Sequence, residues 1–392
     1  MTASSNSIRV LHLWGNYFPD LFDHSHRLCL SANWPSEVVA RGLFEGEGAR
    51  SELPGVIGFR HRSKAEVNST ALTSRIQRLL LRKVDEIGFG RLTQRTVSRF
   101  RPDVIHCHYG TTGAELVKWN YWPELPTVVS FYGVDASASM RDPATVQRYV
   151  EMGRGGAIAH VLCTAVADRL VGIGWPINHI EVGNLPAQVE FAPDLGTRIG
   201  SGTRLLIPAR FVEKKGHLVL LDAVRLAVEH VPDITLTCFG YGSPEWLERA
   251  IVRLQLKGRV RVVDNRQTSG FFDDYMNLLR EHDIVVMPSM VSSSGDDEGG
   301  PALSVVMAQA AGKPVVVSDF PGAERSVTDR IEGRVLPAGN VTALATVLVE
   351  MSQSRADWSL MGAAGRARVR QEFSDSAYWH FLQRAYARAM GR

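Results

Sequence analysis

Short apolar runs alternate with longer amphipathic segments along almost the whole chain. In the first half, the apolar runs predict strands over residues 8–13, 104–107, 127–131, 159–162 and 179–182. The helical spacing of apolar positions predicts helices over residues 35–44, 73–100 and 165–173. This alternation is typical of βα units, in which crossover helices join parallel strands.

The second half repeats the alternation with greater regularity. Apolar runs predict strands over residues 205–209, 234–239, 260–263, 284–287, 314–317 and 333–336. Amphipathic segments predict helices over residues 217–230, 244–256, 271–281 and 301–311. This order predicts a doubly wound α/β domain, and such a domain binds its ligand at the carboxyl ends of its strands.

A segment rich in proline and glycine, residues 184–203, interrupts the pattern and indicates a domain boundary. A chain of 392 residues is also longer than one hydrophobic core usually supports. We therefore predict two Rossmann-like α/β domains, over residues 1–190 and 191–373, that face each other across a cleft. The last segment, residues 374–392, is predicted to be a helix that packs back on the first domain.

Composition excludes several classes of protein. Hydrophobic residues make up 45% of the chain and charged residues 22%, which is typical of globular proteins and not of disordered ones. The net charge of +3 is too small to indicate nucleic-acid binding. No apolar run approaches the ~20 residues of a membrane-spanning helix. The N-terminal residues lack the basic and apolar regions of an export signal, so we expect a cytoplasmic protein.

The cysteines give no sign of a metal centre or a disulfide framework. Cys29, Cys107, Cys163 and Cys238 are far apart, and they form neither CxxC pairs nor Cys/His pairs at metal spacing. We therefore expect free thiols and no bound metal.

Basic residues are concentrated in one segment, residues 75–101, where eight of them are interleaved with apolar positions and only two acids. The pattern predicts a basic amphipathic helix. Such a helix either lies on an anionic membrane surface or meets an anionic acceptor, or it is a solvated helix that covers the domain core. The sequence does not decide between contact with an anionic membrane or acceptor, on one hand, and a solvated helix, on the other.

The residues best suited to chemistry follow predicted strand ends in the second half. Arg210 and Lys215 lie in one such loop, before a helix, where two cations suit a diphosphate. Another loop runs through Glu298 into Gly299-Gly300-Pro301 and a helix, which suits a polyhydroxylated, negatively charged ligand. The carboxyl ends of parallel strands lie at one edge of a sheet, so these loops should converge. A sugar nucleotide is the ligand that this combination favours.

Taken in order, these segments resemble the nucleotide-sugar domain of family 4 retaining glycosyltransferases of the GT-B fold, especially those of bacterial exopolysaccharide and colanic-acid-type synthesis. The resemblance runs through residues 209–216, 239–242, 286–289, 298–301, 308–316 and 322–324. The first half resembles the acceptor domain of these enzymes more loosely, through residues 102–110 and 129–135.

The resemblance implies a role for each matching residue. Arg210 and Lys215 would hold the donor diphosphate and stabilise the departing nucleotide, and Glu298 would contact hydroxyls of the transferred sugar. The further donor-binding positions that it implies are Gly240, Gly242, Ser289, Gly299, Gly300, Pro301, Ala302 and Met307. On the acceptor side, it implies Gly15, Asn16, His108, Tyr132 and Asp135. It implies no metal and no cofactor.

The chain departs from the family pattern at three places. The second glutamate of the E-x7-E motif is replaced by Val306, or by Met307 if the following Ala-Gln-Ala-Ala-Gly segment fixes the register. Tyr132 stands where the family often has a histidine, and Gly15 is a single glycine where a pair is usual.

Two functions are compatible with this pattern. The first is a retaining hexosyltransferase that moves a sugar from a nucleotide-diphosphate donor to a glycan or lipid-linked acceptor in cell-surface polysaccharide synthesis. It would work in the cytoplasm, at the inner face of the membrane if the basic segment binds lipid. The alternative is a non-catalytic homologue that acts as a partner in a glycan assembly complex.

Overall fold

The computed structural model describes residues 8–17, 34–45, 56–63, 75–190, 192–196, 200–265 and 271–392; the side chains of residues 16–17, 42–45, 56–63, 75–82 and 271 are outside this description. The chain divides into two compact units. Unit 1 comprises residues 1–185 and 378–392, and unit 2 comprises residues 186–377. Both boundaries lie within five residues of the predicted ones, 190/191 and 373/374.

Unit 1 contains a seven-stranded, fully parallel sheet with the order β3-β2-β1-β4-β5-β6-β7. Its strands are β1 (Val10–Tyr17), β2 (Ser36–Glu45), β3 (Val56–Ser63), β4 (Val104–His108), β5 (Thr127–Phe131), β6 (Ile158–Val161) and β7 (Ile180–Val182). Its helices are α1 (Arg75–Phe100), α2 (Gly110–Lys118), α3 (Pro143–Arg154) and α4 (Thr164–Gly172).

The predicted helix over residues 35–44 is wrong, because this segment is strand β2. β2 pairs on one side with β1 and on the other with β3, so its backbone groups are satisfied by two neighbours. Val38, Val39 and Ala40 are consecutive and all fully buried, as in a strand covered on both faces. A continuous apolar run of this kind has no period of two, and periodicity alone does not separate it from a buried helix.

The last helix, α11 (Asp375–Ala389), belongs to unit 1 from Tyr378 onward. Its Phe381, Leu382 and Tyr386 are buried in a cluster with Val10 and other sheet residues. The ring of Phe381 lies so close to Gly183 that a Cβ atom there would be 2.4 Å from the ring. The chain end therefore covers one face of the parallel sheet.

Unit 2 is built on a six-stranded parallel sheet with the order β10-β9-β8-β11-β12-β13. Its strands are β8 (Arg204–Pro208), β9 (Thr235–Gly240), β10 (Val260–Asp264), β11 (Ile284–Met287), β12 (Val315–Ser318) and β13 (Gly333–Leu336). Its helices are α5 (His217–Ala227), α6 (Glu245–Arg253), α7 (Phe271–Glu281), α8 (Leu303–Ala310), α9 (Val341–Gln353) and α10 (Ala356–Glu372). Every strand that the sequence predicted here is confirmed.

The strand order of unit 2 reverses between β8 and β11, which are direct neighbours in the sheet. From β8 the chain continues outward to β9 and β10, and from β11 it continues the other way to β12 and β13. Ligands of doubly wound sheets bind at the carboxyl ends of the strands at such a reversal. The loops that follow β8 and β11 are therefore the expected location of a ligand site.

Candidate functional site

The loops after β8 and β11 touch at a glycine. A 3-10 turn, Glu213–Lys215, follows β8 and ends at Gly216, which adopts the left-handed conformation with φ 70°. A Cβ atom on Gly216 would lie 1.9 Å from the carbonyl oxygen of Pro288, the first residue after β11. Only glycine fits both the conformation and the contact, so this position brings the two loops together.

Lys215 and Glu298 form a buried ion pair across these loops. The Nζ atom of Lys215 lies 2.7 Å from both carboxylate oxygens of Glu298. Ser289 adds a third contact, because its hydroxyl donates a 2.6 Å hydrogen bond to Oε1 of Glu298. The side chains of Lys215 and Glu298 are only 13% and 8% exposed, so the pair is largely shielded from water.

Burial and charge act in opposite directions on this pair. Burial alone raises the pKa of the Glu298 carboxyl, but the ammonium groups of Lys215 and Lys214 and the hydrogen bonds to Glu298 outweigh it and lower the pKa below its ordinary value. Burial lowers the pKa of Lys215, and the adjacent Glu298 carboxylate opposes that shift. Each group thus stabilises the charged form of the other.

The neighbours of Lys215 also hold the loop that carries Glu298. Lys214 donates from Nζ to the Asp297 carbonyl at 2.7 Å and lies 3.1 Å from Oδ1 of Asp296. The carboxylate of Glu213 accepts hydrogen bonds from the backbone and hydroxyl of Ser293, at 3.0 and 2.7 Å. Three consecutive residues, 213–215, therefore each bind residues of the segment 293–298.

The sequence prediction did not include Glu213 and Lys214. The one available signal was charge complementarity, because Glu-Lys-Lys at 213–215 matches Asp-Asp-Glu at 296–298. These charges predict a contact between the two loops only when β8 and β11 are known to be neighbouring strands.

Arg210 is the second residue after β8 and is exposed. Its charge is close enough to Lys215 to contribute to the lowered pKa of that lysine. The two cations therefore repel each other mildly, and an anion placed beside them would relieve the repulsion.

Gly240 and Gly242 bring the loop after β9 against the loop after β8. A Cβ atom on Gly240 would lie 2.0 Å from the Ala209 carbonyl oxygen. Gly242 has φ 138° and pairs with Phe211 in an isolated parallel bridge. In the structure, both glycines permit backbone-to-backbone contact beside Arg210.

The N-terminus of α8 is formed by the Gly-Gly-Pro turn. Gly299 is left-handed with φ 66°, and Gly300 touches the chain at Gly322, where a Cβ atom would be 2.4 Å from Gly300. Pro301 leads to Ala302, the N-cap residue, and no side chain of the described residues caps this helix. Its first backbone N–H groups are thus not satisfied by a capping side chain, which suits an anionic ligand.

The structure distinguishes the two positions considered for the missing second acid. Val306 is fully buried in an apolar cluster with Val189, Val369 and Phe373. Met307 is only partly buried, on the side of α8 that also carries Leu303. Of these two positions, Met307 is therefore the one accessible to a ligand, and its side chain is a thioether.

The residues predicted for the acceptor side all lie in unit 1, at or near the carboxyl ends of β1, β4 and β5. Gly15 donates from its backbone to the Thr112 hydroxyl at 3.0 Å, and Asn16 lies in β1 with its side chain outside the description. His108 is buried, stacks on Trp14 with ring centroids 4.0 Å apart, and shares a 2.7 Å hydrogen bond with the half-buried Tyr132.

Asp135 connects two backbone segments of unit 1 through its buried carboxylate. Its carboxylate accepts backbone hydrogen bonds from Gly110, Tyr132 and Gly133, at 2.8 to 3.0 Å. Burial raises the pKa of Asp135 in spite of these hydrogen bonds. The carboxylate thereby joins the start of α2 to the loop after β5.

Tyr109, between His108 and Gly110, has φ 73°, a conformation that non-glycine residues rarely adopt. Strained backbone at a strand end is common at functional sites. The sequence prediction did not single out Tyr109.

Comparison with known proteins finds a family match within unit 2. Residues 202–354 match the family described as Glycosyl transferases group 1. The chain contains a group 1 glycosyltransferase domain. The matched residues include Arg210, Lys215 and Glu298, so the resemblance found in the sequence motifs is confirmed.

Two relatives extend the match beyond this domain. The amylovoran biosynthesis glycosyltransferase AmsK of Erwinia amylovora is 28% identical over 297 residues, which cover 75% of this chain and 71% of AmsK. WcaL of Escherichia coli K12, named for colanic acid biosynthesis, is 26% identical over 278 residues, or 70% of this chain and 67% of WcaL. The protein is accordingly a glycosyltransferase.

The fold of the whole chain is also known from solved structures. HepE of Anabaena, crystallised in complex with UDP, is similar with a TM-score of 0.73 and 15% identity, over 97% of this chain and 100% of HepE. The predicted GT-B fold class, two Rossmann-like α/β domains, is confirmed.

Proposed function

We propose that the protein is a retaining glycosyltransferase of exopolysaccharide synthesis, which moves a sugar from a nucleotide-diphosphate donor to a glycan or lipid-linked acceptor. The observation that carries the proposal is the buried Lys215–Glu298–Ser289 arrangement at the β8/β11 reversal, with Arg210 beside it. The relatives named for amylovoran and colanic acid synthesis support the class of pathway.

In this proposal the donor diphosphate binds beside Arg210 and Lys215, at the uncapped start of α8. Two fixed cations and the helix N-terminus stabilise the negative charge that develops as the nucleotide leaves. Fixed groups of this kind need no reorganisation during the reaction, and the expectation that no metal takes part in transfer belongs to this proposal.

Glu298 is the group proposed to hold the sugar. A carboxylate accepts hydrogen bonds from hydroxyls, and its lowered pKa keeps it ionised near neutral pH. When a diphosphate binds, Lys215 can be shared between phosphate oxygen and Glu298, so that the donor completes the charge pairing of the site.

In this protein, the ribose of the donor must be bound by groups other than the second glutamate of the E-x7-E motif. Met307 offers only a thioether, which is a weak hydrogen-bond acceptor. We infer that diphosphate contacts supply a larger share of donor affinity in this protein. Uridine, guanosine and adenosine donors should then be compared directly.

The test is transfer or slow donor hydrolysis with a panel of uridine, guanosine and adenosine diphosphate sugars. We expect Arg210→Ala and Glu298→Gln each to reduce kcat/KM by about a hundredfold, as when one charge-stabilising group is removed from an active site. Arg225→Ala is the matched control, because Arg225 is exposed on α5 and pairs only weakly with Glu229 at 3.0 Å. Unchanged activity in both site variants would refute the proposal.

The absence of the second acid favours one alternative, a non-catalytic partner in a glycan assembly complex. Retention of Arg210, Lys215 and Glu298 in one arrangement argues against it. The same panel separates the two functions, because a non-catalytic homologue releases no nucleotide diphosphate from any donor, with or without acceptor lipid.

We further propose that α1 holds the protein at the anionic, cytoplasmic face of the membrane. Arg91, Arg95 and Arg99 are exposed on one side of α1, whereas its acids Asp85 and Glu86 are buried. No helix among the described residues combines the length and apolar composition needed to span a bilayer, so the contact would be peripheral.

Binding to phosphatidylglycerol vesicles tests this contact. Each arginine near an anionic surface contributes about 1 kcal/mol, so Arg91→Gln/Arg95→Gln should weaken vesicle binding by roughly thirtyfold. The control is Arg249→Gln/Arg253→Gln, which removes two exposed arginines at the same spacing on α6. Equal loss in both pairs, or equal binding to neutral phosphatidylcholine, would show that α1 is only a solvated helix.

A further inference from the structure

We propose that unit 1 contains a site for a divalent transition-metal ion of the zinc type, held by His12, His106 and His108. His106 and His108 form a His-x-His pair on β4, and alternate residues of a strand point to the same face. His12 lies on the adjacent strand β1, where it is the register partner of His106. Three imidazoles from two neighbouring strands therefore share one face of the sheet.

The nitrogen atoms of these rings are already close to metal-site spacing. Nδ1 of His12 lies 3.0 Å from Nε2 of His108, and one nitrogen of each of the three rings lies within 4.8 Å of the others. Tetrahedral zinc with bonds of about 2.0 to 2.1 Å separates its ligand nitrogens by about 3.3 Å. Small side-chain adjustments would thus place all three around one ion.

Two tyrosines provide the outer contacts that metal-binding histidines usually have. Tyr132 Oη lies 2.7 Å from Nδ1 of His108, and Tyr386 Oη lies 2.8 Å from Nδ1 of His106. These contacts orient both rings with Nε2 available as the ligand atom. Nε2 of His106 now shares a 2.7 Å hydrogen bond with Ser130, which the ion would replace.

The surroundings favour coordination by neutral imidazole. His12, His106 and His108 are at most 2% exposed, and burial disfavours the protonated ring, which cannot bind metal. Imidazole nitrogen suits zinc, copper, nickel and cobalt, whereas magnesium and calcium prefer oxygen ligands. The proposed ion therefore belongs to the first group.

The three histidines belong to unit 1, whereas the residues proposed to bind the donor belong to unit 2. An ion here would cross-link β1 and β4 and, through the outer tyrosines, fix α11 and the loop after β5. Its role would be to stabilise unit 1 and to hold Tyr132. The sequence predicted no bound metal, because His12 is 94 residues away from His106 and only the strand order brings them together.

The test measures metal bound to the full chain, prepared without a histidine tag. After incubation with Zn²⁺ or Co²⁺ and dialysis, we expect about one ion per chain by elemental analysis. The Co²⁺ form should show the intense visible absorption of tetrahedral cobalt. Less than a tenth of an ion per chain, or an octahedral cobalt spectrum, would overturn the proposal without any variant.

Variants then locate the ion. His12→Gln/His108→Gln should lose it, whereas two matched variants should keep it. His160→Gln changes another buried histidine of the same sheet, which is hydrogen-bonded to Ser130 and makes no direct hydrogen bond to His106 among the described residues. His24→Gln/His26→Gln removes the other His-x-His pair of the sequence. Retention in the first variant, or loss in the last, would place the ion elsewhere and refute the site, whatever the outcome for sugar transfer.

Discussion

Replacing Lys215 with methionine is expected to destabilise the folded chain by about 3 to 5 kcal/mol, because it leaves the Glu298 carboxylate buried without its partner. Glu298 is 8% exposed, and Lys215 makes two of its three side-chain hydrogen bonds. Without Lys215, burial raises the Glu298 pKa against only Lys214 and Ser289, so the loss of stability should diminish as the pH falls and the carboxyl becomes protonated. The measurement is the free energy of unfolding in urea at pH 7.5 and at pH 5.

The double variant Lys215→Met/Glu298→Gln separates this cause from a general packing defect. Removal of both charges eliminates the unpaired carboxylate, so the double variant should be more stable than Lys215→Met alone by at least about 2 kcal/mol. Arg225→Met/Glu229→Gln is the exposed control pair, and we expect it to change stability by less than about 0.5 kcal/mol. A Lys215→Met variant as stable as this control would contradict the assignment of a buried ion pair.

The loops of the proposed donor site could be predicted, because the rule that locates them depends on strand topology and not on side-chain detail. Apolar runs located β8 and β11, and loops at the carboxyl ends of parallel strands must share one edge. Arg210, Lys215 and Glu298 follow from that rule and from residue type. The helix predicted over residues 35–44 was wrong for the opposite reason, since only pairing with the neighbours β1 and β3 distinguishes β2 from a buried helix.

Other features depend on pairings that one sequence does not display. The contacts of Lys214 with Asp296 and Asp297 cross more than 80 residues of chain. Whether Val306 or Met307 is the accessible residue in place of the second glutamate depends on which side of α8 packs against Val369 and Phe373. The polar cluster around His106 requires the parallel register of β1 and β4 together with the last helix, which supplies Tyr386.

Replacing His217 with leucine is expected to make the protein more resistant to acid. His217 begins α5 next to Gly216, is 2% exposed, and lies edge-on between the rings of Phe211 and Trp246. Neither ring nitrogen has a hydrogen-bond partner among the described residues. Burial, together with the nearby charge of Lys215, lowers the pKa of His217 from 6.5 to about 3.

The sign follows from proton uptake. Below pH 6.5 the unfolded chain protonates His217, whereas the folded chain keeps it neutral until about pH 3. The titration of His217 therefore does not reduce the free energy of unfolding above pH 6.5. Below pH 6.5 it reduces this free energy by up to about 1.4 kcal/mol per pH unit, or roughly 3 kcal/mol by pH 4. Leucine does not titrate, so the difference in unfolding free energy between His217→Leu and the parent should grow in favour of the variant as the pH falls.

The measurement is urea unfolding of both proteins from pH 7.5 to pH 4. His230→Leu is the matched control, because His230 is exposed just beyond the end of the same helix. Its curve should run parallel to that of the parent. If the His217→Leu curve also runs parallel, the imidazole is protonated or hydrated in the folded state and the buried, neutral assignment of His217 is wrong. If the curves diverge, protonation of His217 contributes to the acid sensitivity of unit 2. His217 is two residues from Lys215, so this sensitivity then originates next to the proposed diphosphate site.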